Sequence, residues 1–330
     1  MAFPAQDSTP SEEAIADLIA CKYPLPRPDG CLFWRKGMAD TYRVLSGGRN
    51  YFFKVNRAKR RSLQDVQEEV RLLQHLLRDE VGVCEPVPSV DGGCVLSIPA
   101  PEGDRFAVLY PAAEGVEVTT AVHRRALGTM VARMHQSADQ LNPPYRRRFL
   151  ELEHVLDDNV EAIDGVMGRR RDDFQLIAGI ASHARAVINS CLAQRAPEHG
   201  VCHGDLHGGD VLLSPAGRPV IFDFESSGTG WRALDLAVFG GSMDWMDTSP
   251  EGHLRRQREI GEFLEGYTSV RTLTKGEMEV LRLDSAVHHI FLMGVVLRYW
   301  TTRDGWHWAN KDFIEWHMKW FRHWVQEHHI

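Results

Sequence analysis

The chain has 330 residues, of which 43% are hydrophobic and 25% charged, the balance of a soluble globular protein long enough to bury its own core. That excludes wholesale disorder, collagen-like repeats and coiled coil, and the length predicts about two domains or lobes. With 38 basic against 45 acidic residues and a net charge of −7, the chain lacks the positive field on which general nucleic-acid binding depends, so no nucleic-acid partner is expected.

Cysteines at positions 21, 31, 84, 94, 191 and 202 are too scattered for a Cys-x-x-Cys motif. They read as reduced thiols of a cytoplasmic protein. Met1 to Pro10 has neither the basic patch nor the apolar core of a signal peptide. The longest apolar stretch near the C-terminus, Ile290 to Leu297, falls far short of the roughly 20 residues that span a bilayer, so no membrane association is expected.

In chain order, Thr9-Pro10-Ser11-Glu12 reads as a helix start with a capping threonine and proline at the first helical position. It predicts a leading helix over about 10–21. Thr41 to Leu45 and Tyr51 to Val55 flank the turn Ser46-Gly47-Gly48-Arg49-Asn50 and read as a hairpin. Leu63 to Leu77 is helical, with Val66, Val70, Leu73 and Leu77 on one face. Strands follow at Cys94 to Ile98 and Phe106 to Tyr110. After Pro111-Ala112-Ala113-Glu114-Gly115 helical patterns dominate, apart from short strands and loops between Val201 and Glu225. The pattern predicts a β-rich N-terminal lobe over 1–111 and a mainly helical lobe over 112–330, joined by a short hinge.

The strongest chemical signal is His203-Gly204-Asp205-Leu206-His207-Gly208-Gly209-Asp210, followed by Ile221-Phe222-Asp223-Phe224-Glu225. One aspartate in a glycine-rich turn is usually a turn former. Three carboxylates, on two segments linked by a tight turn, suit Mg²⁺, which takes carboxylates together with substrate phosphates. A carboxylate left off the metal can accept a proton from an attacking hydroxyl.

These motifs resemble the catalytic core of the aminoglycoside phosphotransferase family, related to choline and homoserine kinases. They are also similar to the His-Arg-Asp loop and Asp-Phe-Gly segment of protein kinases. Trp231-Arg232-Ala233-Leu234-Asp235-Leu236-Ala237 looks like the family's following segment. The resemblance implies an α+β, protein-kinase-like two-lobe fold. Asp205 would be the catalytic aspartate, and Asp223 and Asp210 would hold Mg²⁺ or Mn²⁺ on the phosphates of ATP or GTP. Asp210 departs from the family pattern, which has Asn there. His203 and Asp235 would support the loop, and His207 is either a further support or a substrate contact. Lys54 would grip the α- and β-phosphates, against the plainer reading of a solvated edge-strand lysine, with Glu69 as its partner and Glu68 as the fallback.

The nucleotide-covering loop is expected within Trp34 to Val44 around Gly37, and base contacts at Leu109, Tyr110 and Ala112. Glu225, His207, Asp244 and Asp247 are candidates for the acceptor site, where acidic side chains would suit a cationic acceptor; a solvated acidic loop explains them equally well. Trp316, Trp320 and Trp324 share one helical stripe, read as core packing or as an aromatic wall. The expected function is transfer of the γ-phosphoryl of ATP or GTP to a hydroxyl of a small molecule. The alternatives are a protein Ser/Thr kinase of the stress-response type and a catalytically weak nucleotide-binding regulator. The oligomeric state is left open.

Overall fold

The first helix, α1 (Glu12–Lys22), is capped by Ser11 rather than Thr9: the Ser11 hydroxyl accepts from the Ala14 N–H at 3.3 Å. Pro10 precedes the cap, and its carbonyl accepts from the Tyr42 hydroxyl at 2.5 Å. In this computed structural model the described residues are 5, 7–242, 246–299 and 311–328. They fall into two compact units, Met1–Val116 with Leu212–Glu225, and Glu117–Val211 with Ser226–Ile330.

The first unit is built on an antiparallel sheet. Strands β1 (Gly30–Lys36), β2 (Ala39–Ser46) and β3 (Arg49–Asn56) are followed by helix α2 (Leu63–Arg78) and strands β4 (Leu96–Ile98) and β5 (Arg105–Pro111). The spatial order is β1-β2-β3-β5-β4. Gly47 and Gly48 both take positive φ, 56° and 75°, the backbone that a two-residue hairpin turn between β2 and β3 demands. One sheet face packs Tyr42, Val44, Phe53, Val55, Ala107 and Leu109 against Ile15 and Ile19 of α1. Helix α2 starts in a capping box made by Ser62 and Asp65. It lays Val66 and Val70 over Cys94 and Val108.

Trp34 to Lys36 lie in β1 and Ala39 to Val44 in β2, so the segment expected to cover a nucleotide is mostly strand. Only Gly37 and Met38 form the turn, where the Gly37 N–H donates to the Ala39 carbonyl at 2.9 Å.

The second unit begins with helix α3 (Ala121–Ala138). A π-helical turn at Glu153–Asp157 leads into α4 (Asp158–Met167), and α5 (Arg171–Cys191) follows. Strand β6 (His199–Cys202) precedes the His-Gly-Asp loop. The chain then passes through β7 (Val211–Leu213) and β8 (Pro219–Ile221), which pair with each other. Ile221 is bonded to Gly82 and Cys84 of the first unit, which is why 212–225 packs there.

Strand β9 (Gly228–Trp231) returns to pair with β6. Helices α6 (Arg232–Ser242), α7 (Pro250–Thr268), α8 (Lys275–Val280), α9 (Asp284–Tyr299) and α10 (Lys311–His328) complete the described chain. Helices α3 and α7 approach closely at two glycines. A Cβ on Gly128 would lie 1.9 Å from the Phe263 carbonyl oxygen, and one on Gly266 would lie 1.9 Å from that of Arg125.

The tryptophan stripe of α10 divides. Trp320 and Trp324 are buried, whereas Trp316 is 48% exposed. No helix among the described residues is long and apolar enough to cross a membrane.

Candidate active site

Lys54 is placed by the two-residue period of β3. Its neighbours Phe53 and Val55 are fully buried in the core of one face, so the lysine points to the other face. There its ammonium donates to Asp223 Oδ1 and lies 3.7 Å from Glu225 Oε2. Burial alone would depress its pKa. The charges of Asp223, then Glu225 and Glu69, outweigh that and hold it above the ordinary lysine value.

Asp223 sits two residues beyond β8 with φ of 69°, a left-handed backbone that Asp tolerates better than most residues. The turn redirects the chain, so that both Asp223 and Glu225 reach the lysine. Burial pushes Glu225 up, and the neighbouring charge of Asp223 adds to it against the pull of Lys54.

Glu69 lies on the buried face of α2 but does not ion-pair with Lys54. Its Oε2 is 2.6 Å from Arg61 Nη1, and its Oε1 accepts from the Tyr110 hydroxyl at 2.7 Å. Burial opposes its ionisation; the Arg61 charge and the Tyr110 hydrogen bond outweigh it and hold Glu69 below the ordinary value. Glu68 pairs instead with Arg71 at 2.7 Å.

At the segment expected to meet a base, two backbone groups are engaged within the protein. The Leu109 carbonyl accepts from the Val87 N–H at 2.8 Å, and the Ala112 N–H donates to the Asn50 carbonyl at 2.9 Å. The Tyr110 hydroxyl is committed to Glu69.

In the second unit, Asp235 of α6 holds the His-Gly-Asp loop from behind. Its Oδ2 accepts from the His203 N–H at 2.8 Å and its Oδ1 from the Gly204 N–H at 2.7 Å. His135 of α3 makes a third contact, Nε2 to Oδ2 at 3.0 Å. Burial would raise the Asp235 pKa, but the hydrogen bonds from His135 and from the Gly204 N–H outweigh it and bring it below the usual carboxylate value. Burial pushes His135 down to about 4, so it is neutral at pH 7.

That fixes the direction of a buried chain of donors. Arg271 Nη1 donates to the Tyr267 hydroxyl at 2.9 Å, Tyr267 donates to His135 Nδ1 at 2.8 Å, and His135 Nε2–H donates to Asp235. Motif reading singled out Asp235 but missed Tyr267 and Arg271, which lie more than 130 residues from His135 in sequence and carry no local signal.

Gly204 takes φ of 86°, and a Cβ there would sit 2.3 Å from the Ser226 carbonyl oxygen. The turn therefore needs glycine, and it presents the next residue, Asp205, whose N–H meets His203 Nδ1 at 3.4 Å. His207 Nδ1 accepts from the Gly209 N–H at 2.9 Å, which leaves Nε2 as the protonated nitrogen, 3.2 Å from Asp210 Oδ2. His207 is thus a loop support. One ligand atom each from Asp205, His207 and Asp210 lies within 4.8 Å of the others. Within this loop the carboxylate oxygens of Asp205 and Asp210 are hard donors of the kind a Mg²⁺ or Mn²⁺ ion takes; Asp223 carries a donor of the same kind in the first unit.

Of the acceptor candidates, Asp247 is tied to Ser249, the N-cap residue of α7. Its Oδ1 accepts from the Ser249 N–H at 3.1 Å and hydroxyl at 2.6 Å, and its Oδ2 pairs with Arg255 at 3.0 Å. Asp244 lies outside the described residues.

A model of the phosphotransferase enzyme family matches residues 34–273. An uncharacterized protein of Synechocystis sp. is 32% identical over 83% of this chain and 74% of its own. Amicoumacin kinase of Bacillus subtilis is 22% identical over 86% of this chain and 84% of its own. A solved amicoumacin kinase, in complex with AMP-PNP, Ca²⁺ and Ami, aligns with a TM-score of 0.79 over 96% of this chain and 94% of that one, at 20% identity. The fold is therefore the α+β, protein-kinase-like one that the motifs implied, and the chain belongs to the phosphotransferase enzyme family.

Proposed function

We propose that this protein is a small-molecule kinase that transfers the γ-phosphoryl of ATP or GTP to an alcohol. The observation that carries the reading is the Asp205 turn, where a glycine-only backbone and a buried carboxylate on α6 hold one aspartate at a fixed place. The activity named for the Bacillus amicoumacin kinase supports a small molecule as acceptor.

The chemistry assigned to the chain is positioning and charge stabilisation. The Asp205 carboxylate accepts the proton of the acceptor hydroxyl as its oxygen bonds to the γ-phosphorus. The bond from that phosphorus to the β–γ bridging oxygen breaks, and the nucleoside diphosphate leaves with that oxygen. Lys54 supplies positive charge to the nucleotide phosphates. A divalent ion, for which Asp223 and Asp210 are the proposed ligands, neutralises phosphate oxygens when bound.

The test measures nucleoside diphosphate release by the purified protein with ATP and with GTP, in Mg²⁺ or Mn²⁺, across a panel of hydroxyl-bearing small molecules. Wild type is expected to show acceptor-dependent turnover that Asp205→Ala abolishes while nucleotide affinity stays nearly unchanged. Equal turnover by the two proteins would remove the basis of the reading.

A further inference from the structure

Helix α9 carries a histidine that the fold hides without giving it a partner. His288 is 8% exposed, and among the described residues no group of the protein hydrogen-bonds to its ring nitrogens. Its neighbour His289 approaches edge-on, with ring centroids 5.8 Å apart, a contact that satisfies neither nitrogen. Burial, then the nearby charges of His207 and His317, push the imidazole down to about 4. At pH 7 the ring is therefore neutral, with one N–H to donate and one lone pair to accept. A buried polar group in that state is costly, and a bound ligand that supplied the missing bonds would remove the cost.

The ring lines a pocket that lies wholly within the second unit. Leu150, Val155, Leu234, Val238, Val287 and Phe291 form its apolar wall, and Gly204 borders it on the side of the His-Gly-Asp loop. The space, part of it open to solvent, is about 330 Å³, at the small end of ligand sites. An apolar wall with one polar group to fix orientation is the usual make-up of such a site. Val155 belongs to the π-helical turn before α4, an irregularity frequent at functional sites. Asp235 is the pocket's one carboxylate, and its oxygens already accept from His203, Gly204 and His135. A cation entering here would meet no spare negative charge. Asp205 directly follows Gly204, so a molecule seated against Gly204 is beside the turn that carries the proposed proton acceptor.

We propose that this pocket receives the apolar part of the phosphoryl acceptor and that His288 hydrogen-bonds a neutral polar group on it. The acceptor is then an uncharged amphipathic alcohol, not a polycation. Naming the occupant as the acceptor rests on the kinase reading above; the pocket's preference for such a molecule does not.

The experiment uses N-acetylethanolamine and N-benzoylethanolamine, which share a hydroxyl and an amide and differ in the apolar group, with kanamycin as a polycationic alcohol. Nucleoside diphosphate release in Mg²⁺ with ATP and with GTP is measured for wild type, His288→Leu and His288→Gln. Burial of the phenyl group should raise kcat/KM about tenfold for the benzoyl compound over the acetyl one, and kanamycin should not be turned over. His288→Leu should raise the KM for N-benzoylethanolamine about tenfold with kcat nearly unchanged, since the bond is made equally in ground and transition states. His288→Gln, which keeps a donor and an acceptor, should recover most of the loss.

Kanamycin turned over as well as the benzoyl compound, or a KM unmoved in His288→Leu, overturns the proposal and leaves the kinase reading standing. If no alcohol supports turnover, the kinase reading fails and the pocket is judged alone. Calorimetry with N-benzoylethanolamine in the absence of nucleotide must then show binding by wild type and about tenfold weaker binding by His288→Leu; no binding, or equal binding, overturns the proposal. Should His288→Leu not fold, a crystal of wild type soaked in N-benzoylethanolamine decides. The amide within hydrogen-bond distance of the His288 ring, with the phenyl group against the apolar wall, supports the proposal, and a pocket that does not take up the molecule overturns it.

Discussion

Replacing Asp235 by asparagine changes one atom and removes one charge, and its effect can be worked out from the bonds it breaks. The carboxylate is 1% exposed and accepts from three donors: the N–H groups of His203 and Gly204, and His135 Nε2–H. An amide offers one acceptor oxygen. Its least costly orientation puts that oxygen at the Oδ2 position, where it keeps His203 and His135. The –NH₂ then faces the Gly204 N–H, donor against donor, at a site where the carboxylate oxygen stood 2.7 Å away.

The opposite orientation loses two bonds instead of one. It would also require His135 to move its proton to Nδ1, against the Tyr267 hydroxyl that donates there. A hydrogen bond to a charged group contributes roughly 1.5–3 kcal/mol, and a buried donor left without an acceptor costs about 1–3 kcal/mol more. Asp235→Asn should therefore destabilise the protein by about 3 kcal/mol, a large share of the roughly 5–15 kcal/mol that holds a typical domain together. Urea unfolding at pH 7.5, followed by circular dichroism, measures the difference. Turnover should fall with it, because the displaced N–H belongs to the residue before Asp205. A loss under about 1 kcal/mol with turnover intact would show that the loop does not depend on this carboxylate, and the argument for a held Asp205 would fail.

Two further outcomes follow from burial. Gly266→Ala would drive a methyl group into the backbone of α3, 1.9 Å from the Arg125 carbonyl oxygen, and overpacking of this kind costs about 1–3 kcal/mol; an unchanged melting temperature would mean that the two helices are free to separate. Burial pushes His135, His288 and His317 each down to about 4 from the ordinary 6.5. The fold keeps these imidazoles neutral while the unfolded chain protonates them, so their contribution is complete above pH 6.5 and is lost as the pH falls toward 4. The urea midpoint should be clearly lower at pH 5 than at pH 7.5, and a flat profile would refute the assignment of three buried neutral histidines.

What the sequence made legible was local. The Gly47-Gly48 turn, the period of α2 and the His-Gly-Asp motif each announce themselves within a few residues. Strand β1 gave no such signal. It is an edge strand in which the apolar run Cys31 to Trp34 alternates between partly buried and exposed, with Leu32 and Trp34 about half in solvent, so no two-residue hydrophobic period marked it. Its partner β2 was consequently read short, and a two-residue turn was taken for a long loop. The Ser11 cap lay two residues from the expected Thr9, because Thr9, Pro10 and Ser11 offer competing starts that only the fold decides.

The pairing of Lys54 shows why a site can be found in a sequence while its electrostatics cannot. The family resemblance named Lys54 and Glu69 as partners, whereas the fold pairs the lysine with Asp223 and Glu225 and the glutamate with Arg61 and Tyr110. Which cation meets which carboxylate depends on a third residue. Arg61 is recruited by the Asn56 side chain and the Asp65 carbonyl, neither of which any motif includes. The bend at Asp223 brings in a fourth group, Glu225, through a positive φ that no preceding glycine foretells. Coulomb interactions at close range change by several kcal/mol over a few ångströms at intermediate dielectric, so an error of one side chain in the register of partners reverses the conclusion about where the ammonium rests. The lysine's identity was a question of pattern; its position is a question of competition among buried charges, settled only when all of them have coordinates.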